Sequence, residues 1–239
     1  MTTYGLYLES GPKRRKTMVH VLDLLGCVAV GPTTEQALAA TPDAIRTFRR
    51  FLRRHGEPVD PEAPVETRIM EHVTEGDWLG NGSPYLTFGP DAEPISDEEI
   101  RALLPRLGWM LEELAGWAET RSEADLDASP AERGRTARAI LLHVLGAQGA
   151  YLAAALRGAP GFSRLHGAAE RGEVPLAVAL RRAGELVEER VWRATPDERW
   201  ATRELSGRTY TMRKAMRRML EHDWEHLAEL SRRPGGPAL

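Results

Sequence analysis

The sequence predicts an α+β unit of order β-β-β-α-β over residues 1–88, a linker at 89–96, and an all-α up-and-down four-helix bundle over 97–239. Three observations predict it. Apolar residues recur with a period of two before about residue 90 and with a helical period after it. Between the two regimes the segment GNGSPYLTFGPDAEPISDEE, starting at Gly80, is dense in Gly and Pro and ends in a helix start. Strands come first and then only helices, the order of an α+β layer followed by helix-on-helix packing.

Each element has a local cause. Tyr4-Gly-Leu-Tyr-Leu-Glu9 alternates apolar with small or polar residues, Met18 to Leu22 (MVHVL) is strand-like, and Cys27 to Gly31 (CVAVG) is a short β-rich run. Thr33, three residues ahead of Gln36, has capping-box spacing and opens an amphipathic helix to about Arg54. Val65 to Val73 restores the period of two, with Val65, Thr67, Ile69 and Val73 on one side. Ser96 and Glu99 form a second capping box. Helices are expected at about 97–120, 132–157, 173–194 and 210–232, separated by loops such as Arg157-Gly-Ala-Pro-Gly161. No repeat of solenoid period is visible.

The composition excludes several classes. With 42% hydrophobic and 28% charged residues the chain has the balance of a soluble globular protein. Lys plus Arg number 32 against 35 Asp plus Glu, so a formal charge of −3 gives no general attraction to nucleic acid or an anionic membrane. No run approaches the roughly 18 apolar residues of a membrane span, and MTTYGLYLESGPKRRK lacks the order of a secretory signal. The single cysteine, Cys27, excludes an internal disulfide framework and a thiolate-rich metal site. A cytoplasmic protein is expected. Cys27 itself reads as packing rather than a nucleophile, having no histidine-acid relay near it in sequence. The KRRK cluster at 13–16 reads as a solvated hairpin tip, since no aromatic platform accompanies it.

Chemistry concentrates on histidine. In MLEHDWEHLAEL, from Met219, a helical wheel places Met212, Met216, Met219, Leu220, Leu227 and Leu230 on the core stripe, with His222 and His226 one turn apart on its border. His143, in Ile140-Leu-Leu-His-Val144, shares a face with Ile140, Val144, Ala147 and Tyr151, and is expected to be desolvated and neutral. Neighbouring helix axes lie about 8–10 Å apart, so imidazoles from two helices can meet on one ion. His143, His222 and His226 would then supply three nitrogens and leave a fourth position for water or substrate. The plainer alternatives are a solvated charged helix and a hydrogen-bonded core histidine. A zinc-protease reading of H-x-x-x-H fails because Asp223 stands where a glutamate base is needed. Asp223 falls near the middle of the apolar arc, either as an acceptor orienting a ligand histidine or as a cap on a neighbouring helix.

These motifs resemble known families. LLHVLGAQGAYLAAAL (141–156) and RKAMRRMLEHDWEHLAEL (213–230) resemble the second and last helices of the DinB/YfiT-like superfamily of four-helix bundles, over about residues 96–232. The resemblance implies a divalent metal such as zinc or nickel on His143, His222 and His226. It also implies homodimerisation and, as cosubstrate, a low-molecular-weight thiol such as mycothiol or bacillithiol. The turn Asp23-Leu-Leu-Gly-Cys27, followed by Val28 to Gly31, Thr33 and a helix, is similar to HicB-like antitoxin domains over about residues 4–75, with Leu25 where a proline is usual. That family carries a separate DNA-binding segment, for which the bundle leaves no room here. The leading expectation is therefore a metal-dependent thiol S-transferase-type enzyme acting on a small molecule. The alternative is a non-catalytic small-molecule-binding or partner-binding protein whose HicB-like half mediates protein interaction. Asp223, Glu221, Tyr151 and Gln148 lie near the ligands along their helices, and none is assigned a catalytic role from sequence.

Overall fold

A computed structural model describes residues 2–12, 16–130 and 134–239. Three of the four residues of the KRRK cluster, 13–15, and the start of the helix expected from 132 lie outside the described residues. The N-terminal part is a mixed four-stranded sheet: β1 (Thr2–Ser10), β2 (Thr17–Val21), β3 (Val28–Gly31), α1 (Thr34–Arg54) and β4 (Val65–Val73). The sheet order is β3-β2-β1-β4, with β1 antiparallel to β2, β2 antiparallel to β3, and β4 parallel to β1 at the edge. The expected β-β-β-α-β order forms.

The turn before β3 depends on Gly26. Its φ is +104°, and a Cβ there would lie 2.7 Å from Cζ of Phe48, so the Asp23-to-Cys27 turn can rest directly on α1 only with glycine. Asp23 closes the turn by accepting a 2.6 Å bond from the Gly5 amide. Thr33 caps α1 through a 3.2 Å bond from the Gln36 amide. Phe48, Phe51 and Leu52 of α1 are fully buried, and each such side chain contributes about 1.5–3 kcal/mol.

One expectation about β4 does not hold. Leu6 pairs with Ile69 but Tyr7 with Glu71, leaving Met70 as an extra residue. This bulge reverses the alternation, so Val73, opposite Glu9, lies on the other sheet face from Val65, Thr67 and Ile69. The bulged edge also leaves Ile69 and Met70 exposed.

The rest of the chain is mostly helical. Four long helices, α2 (Asp97–Glu119), α4 (Ala137–Leu156), α6 (Leu176–Trp192) and α8 (Met212–Ser231), form a bundle. Short elements fill the connections: α3 (Glu123–Asp127), α5 (Phe162–Glu170), α7 (Pro196–Trp200), and the hairpin β5 (Arg203–Leu205) with β6 (Arg208–Tyr210). The reciprocal Ser96–Glu99 cap starts α2 as expected.

The up-and-down order is corrected to up-down-down-up. Arg213 at the start of α8 bonds Glu99 at the start of α2 at 2.7 Å, so these two run parallel. Arg135, just ahead of α4, meets Glu229 late in α8 at 3.2 Å, and those two run antiparallel. Arg190 late in α6 reaches the Leu156 carbonyl at the end of α4, so α4 and α6 run parallel. The cause is α5, which carries the chain back along α4. A Cβ on Gly149 would lie 2.7 Å from that of Phe162, so a glycine permits this close return. The expectation that no run approaches a membrane span is corrected: among the described residues, α4 is the one helix long and apolar enough to cross a membrane, with mean hydropathy 1.6, and half of that stretch is buried inside the protein.

A single hydrophobic core runs from the sheet through the bundle. The far face of the sheet, with Tyr7, Glu9 and His20, is covered by Phe88 and α8, with ring centroids 5.3 Å apart for Tyr7–Phe88 and 5.1 Å for His20–Phe88. The stretch expected as a linker, 89–96, makes a 3-10 turn at Gly89–Ala92 and buries Asp91 and Ile95.

Candidate metal centre

α8 lies between two packed layers, the sheet and the bundle. That position explains why its charged residues Lys214, Arg217, Arg218, Glu221 and Asp223 are all buried. Thr211 caps it through the Lys214 amide at 3.0 Å, and Trp224 anchors it against Phe48 and Phe51 of α1 at centroid distances of 4.8 and 5.2 Å. The helix thereby presents His222 and His226 to α4, which presents His143.

The three imidazoles meet. One ligand atom from each lies within 4.8 Å of the others, and Nε2 of His143 stands 2.9 Å from Nε2 of His222. Two nitrogens at metal bond lengths of about 2.0–2.1 Å are separated by about 2.9–3.4 Å for bond angles between square and tetrahedral. The His143–His222 pair has that spacing, and the three donors lie close enough together to hold one metal ion. His226 is oriented for that role, since its Nδ1 donates to Glu229 Oε2 at 2.9 Å and leaves Nε2 free. Glu229 also meets Arg135 and Arg233, and the His226 bond comes first among the influences that hold its carboxyl down to about 2.

Burial, then the charges of His226 and His143, holds His222 well below the usual histidine range. Burial, His226 and Arg135 likewise push His143 down to about 4. Both are neutral near pH 7, the form that binds metal. His143 departs from expectation in one respect: it is exposed rather than enclosed among Ile140, Val144 and Tyr151, because it opens onto a cleft.

Asp223 is fully buried, as its wheel position suggested, but its role differs from both expected ones. Its two oxygens accept from Nε2 of Gln148 at 2.7 Å each, and it sits 3.7 Å from His222 Nδ1, beyond hydrogen-bond distance. Burial raises its carboxyl well above the ordinary range, with Gln148 opposing. His222 Nδ1 and Gln148 Oε1 remain buried without partners among the described residues. Glu221 faces away from the histidines into a network with His20 at 2.9 Å and with Arg217 and Arg218 at 2.8 Å each. Tyr151 stands edge-on to His222 with centroids 5.9 Å apart. Cys27 is buried, and burial pushes its thiol up, in keeping with a packing role.

The cleft measures about 1220 Å³ and its two walls come from different parts of the chain. α4 and α8 provide His143, Tyr151, Arg218, His222, Glu225 and His226, while β3, α1 and the loop after β4 provide Val28, Val30, Ala40, Ala44 and Trp78. Glu229 had a faint sequence signal, three residues beyond His226 on the same helical face. Glu225, whose carboxyl is raised chiefly by burial, had none beyond its place beside His226. Comparison with known proteins returns no family model, no curated protein and no solved structure that matches this chain, so the resemblances of the two halves stand on their motif residues.

Proposed function

We propose that the chain is a divalent-metal-binding protein of DinB-like type, with His143, His222 and His226 as ligands and zinc or nickel as the ion, acting as a thiol S-transferase-type enzyme. The carrying observation is the convergence of the three imidazoles, with His226 oriented by Glu229, on a cleft large enough for a small molecule. Such an ion, when bound, lowers the pKa of a thiol or water so that it serves as a nucleophile near neutral pH. The residues of the chain do the rest. Neutral His143 and His222 offer lone pairs, and Glu229 fixes the His226 tautomer. The exposed side of His143 leaves the site open to the cleft.

A second reading, a non-catalytic small-molecule-binding protein, draws on the apolar wall that the α+β half contributes to the cleft. Metal analysis of untagged protein tests the first part: about one equivalent of a transition metal is expected, lost in His222→Ala/His226→Ala. Below about 0.2 equivalents, unchanged in that variant, the three-histidine site is refuted. Conjugation of a thiol to a panel of electrophiles by the metal-loaded protein separates the readings. Metal without turnover would favour binding.

A further inference from the structure

Trp78 lies on the rim of the three-histidine cleft and is 68% exposed. Its φ is +64°, a left-handed backbone that a bulky residue adopts only when its surroundings impose it. The surroundings do so. Leu79, the next residue, is buried, and Ser83 Oγ donates to the Asp77 carbonyl at 2.7 Å. The Asn81 amide donates to the Trp78 carbonyl at 3.2 Å, and the Gly82 and Ser83 amides donate to the buried Glu9 carboxylate at 2.5 and 3.0 Å. The loop is therefore pinned on both sides of Trp78. An exposed tryptophan is ordinary by itself; one held outward by a costly backbone at the mouth of a cleft is not.

Charge points the same way. Lys16 lines this cleft, and its ammonium donates to the Asn81 amide oxygen at 2.8 Å, with no carboxylate partner among the described residues. Glu229 on the opposite wall is already matched by Arg135 and Arg233. Behind Trp78 the wall is apolar, with Val28, Ala40 and Ala44.

We propose that the α+β half selects the molecule admitted to the cleft, and that its ligand class is a planar aryl or conjugated anion: Trp78 stacks on the flat group and Lys16 pairs with the anionic one. This deepens the reading of the cleft as a substrate site and rests on it, but its test uses neither metal nor turnover. The full chain is titrated with anilinonaphthalene sulfonate, an anion that carries a planar naphthalene ring, followed by dye fluorescence, with circular dichroism to verify folding. One saturable site per chain is expected. Trp78→Ala weakens binding about tenfold, the loss of one stacking face. Lys16→Gln weakens it about threefold and flattens its dependence on salt. Trp200→Ala, a similarly exposed tryptophan that does not line the cleft, leaves it within about twofold, and the titration is made on chelator-treated protein, so failure of the metal site and failure of this proposal are distinguishable. Equal binding by wild type and Trp78→Ala, absence of a saturable site, or an equal loss of binding in Trp200→Ala would each overturn it.

Discussion

Replacing Glu229 with Gln probes the metal centre without touching a ligand. The Glu229 carboxylate accepts from His226 Nδ1 at 2.9 Å and is shared with Arg135 at 3.2 Å and Arg233 at 3.1 Å. A hydrogen bond to a charged group contributes about 1.5–3 kcal/mol when well formed. Its side chain is 30% exposed and its charge is divided among three partners, which leaves about 1.4 kcal/mol, or tenfold in metal affinity. That value stands at the lower end of the 10–100-fold range typical of acceptors behind metal-bound histidines. The assay is competition for zinc against a chromophoric chelator at neutral pH, with Glu185→Gln on α6, whose carboxylate bonds only Arg182 among the described residues, as control. A zinc Kd for Glu229→Gln within about twofold of wild type would refute the view that this carboxylate orients His226.

Other expectations follow from the same contacts. Asp91→Ala leaves Arg217 buried without the carboxylate that now meets it at 2.7 and 2.8 Å, so urea unfolding should show a loss of about 3–5 kcal/mol; a loss below 1 would contradict a buried pair. Trp78→Gly relieves a left-handed backbone costing about 1–2 kcal/mol, so the unfolding midpoint should hold or rise, whereas a fall would mean the indole itself stabilises the fold. For His20, burial opposes the charged form, but the charge and hydrogen bond of Glu221, with Glu9, outweigh it and raise its pKa above 6.5. The stabilisation from protonated His20 is complete below about pH 6.5 and declines as pH rises through the raised folded value. The stability gap between wild type and His20→Gln should therefore narrow at alkaline pH, and a gap independent of pH from 6 to 10 would exclude a charged His20.

Local signals carried much of this structure. The Thr33 and Ser96 caps mark where α1 and α2 begin, and the wheel of α8 already places His222 and His226 beside the core. Such signals depend on residues three or four apart. What escaped them depends on distant partners. The bulge at Met70 is set by pairing with β1, and the parallel course of α4 and α6 by the fit of Phe162 against Gly149. The exposure of His143 follows from a cleft whose second wall begins more than a hundred residues earlier, at Lys16 and Val28. Asp223 was visible as an anomaly, but its partner Gln148 is 75 residues away. No spacing rule joins residues so far apart.

The bond between His20 and Glu221 spans 201 positions, and this bears on how the protein is made. At about 5–20 residues per second a ribosome needs about 10–40 s between these two residues. Throughout that interval the sheet face bearing Glu9 and His20 waits for the helix that covers it. That face is buried only after α8 has been made, so the sheet and the bundle are completed together in one late step.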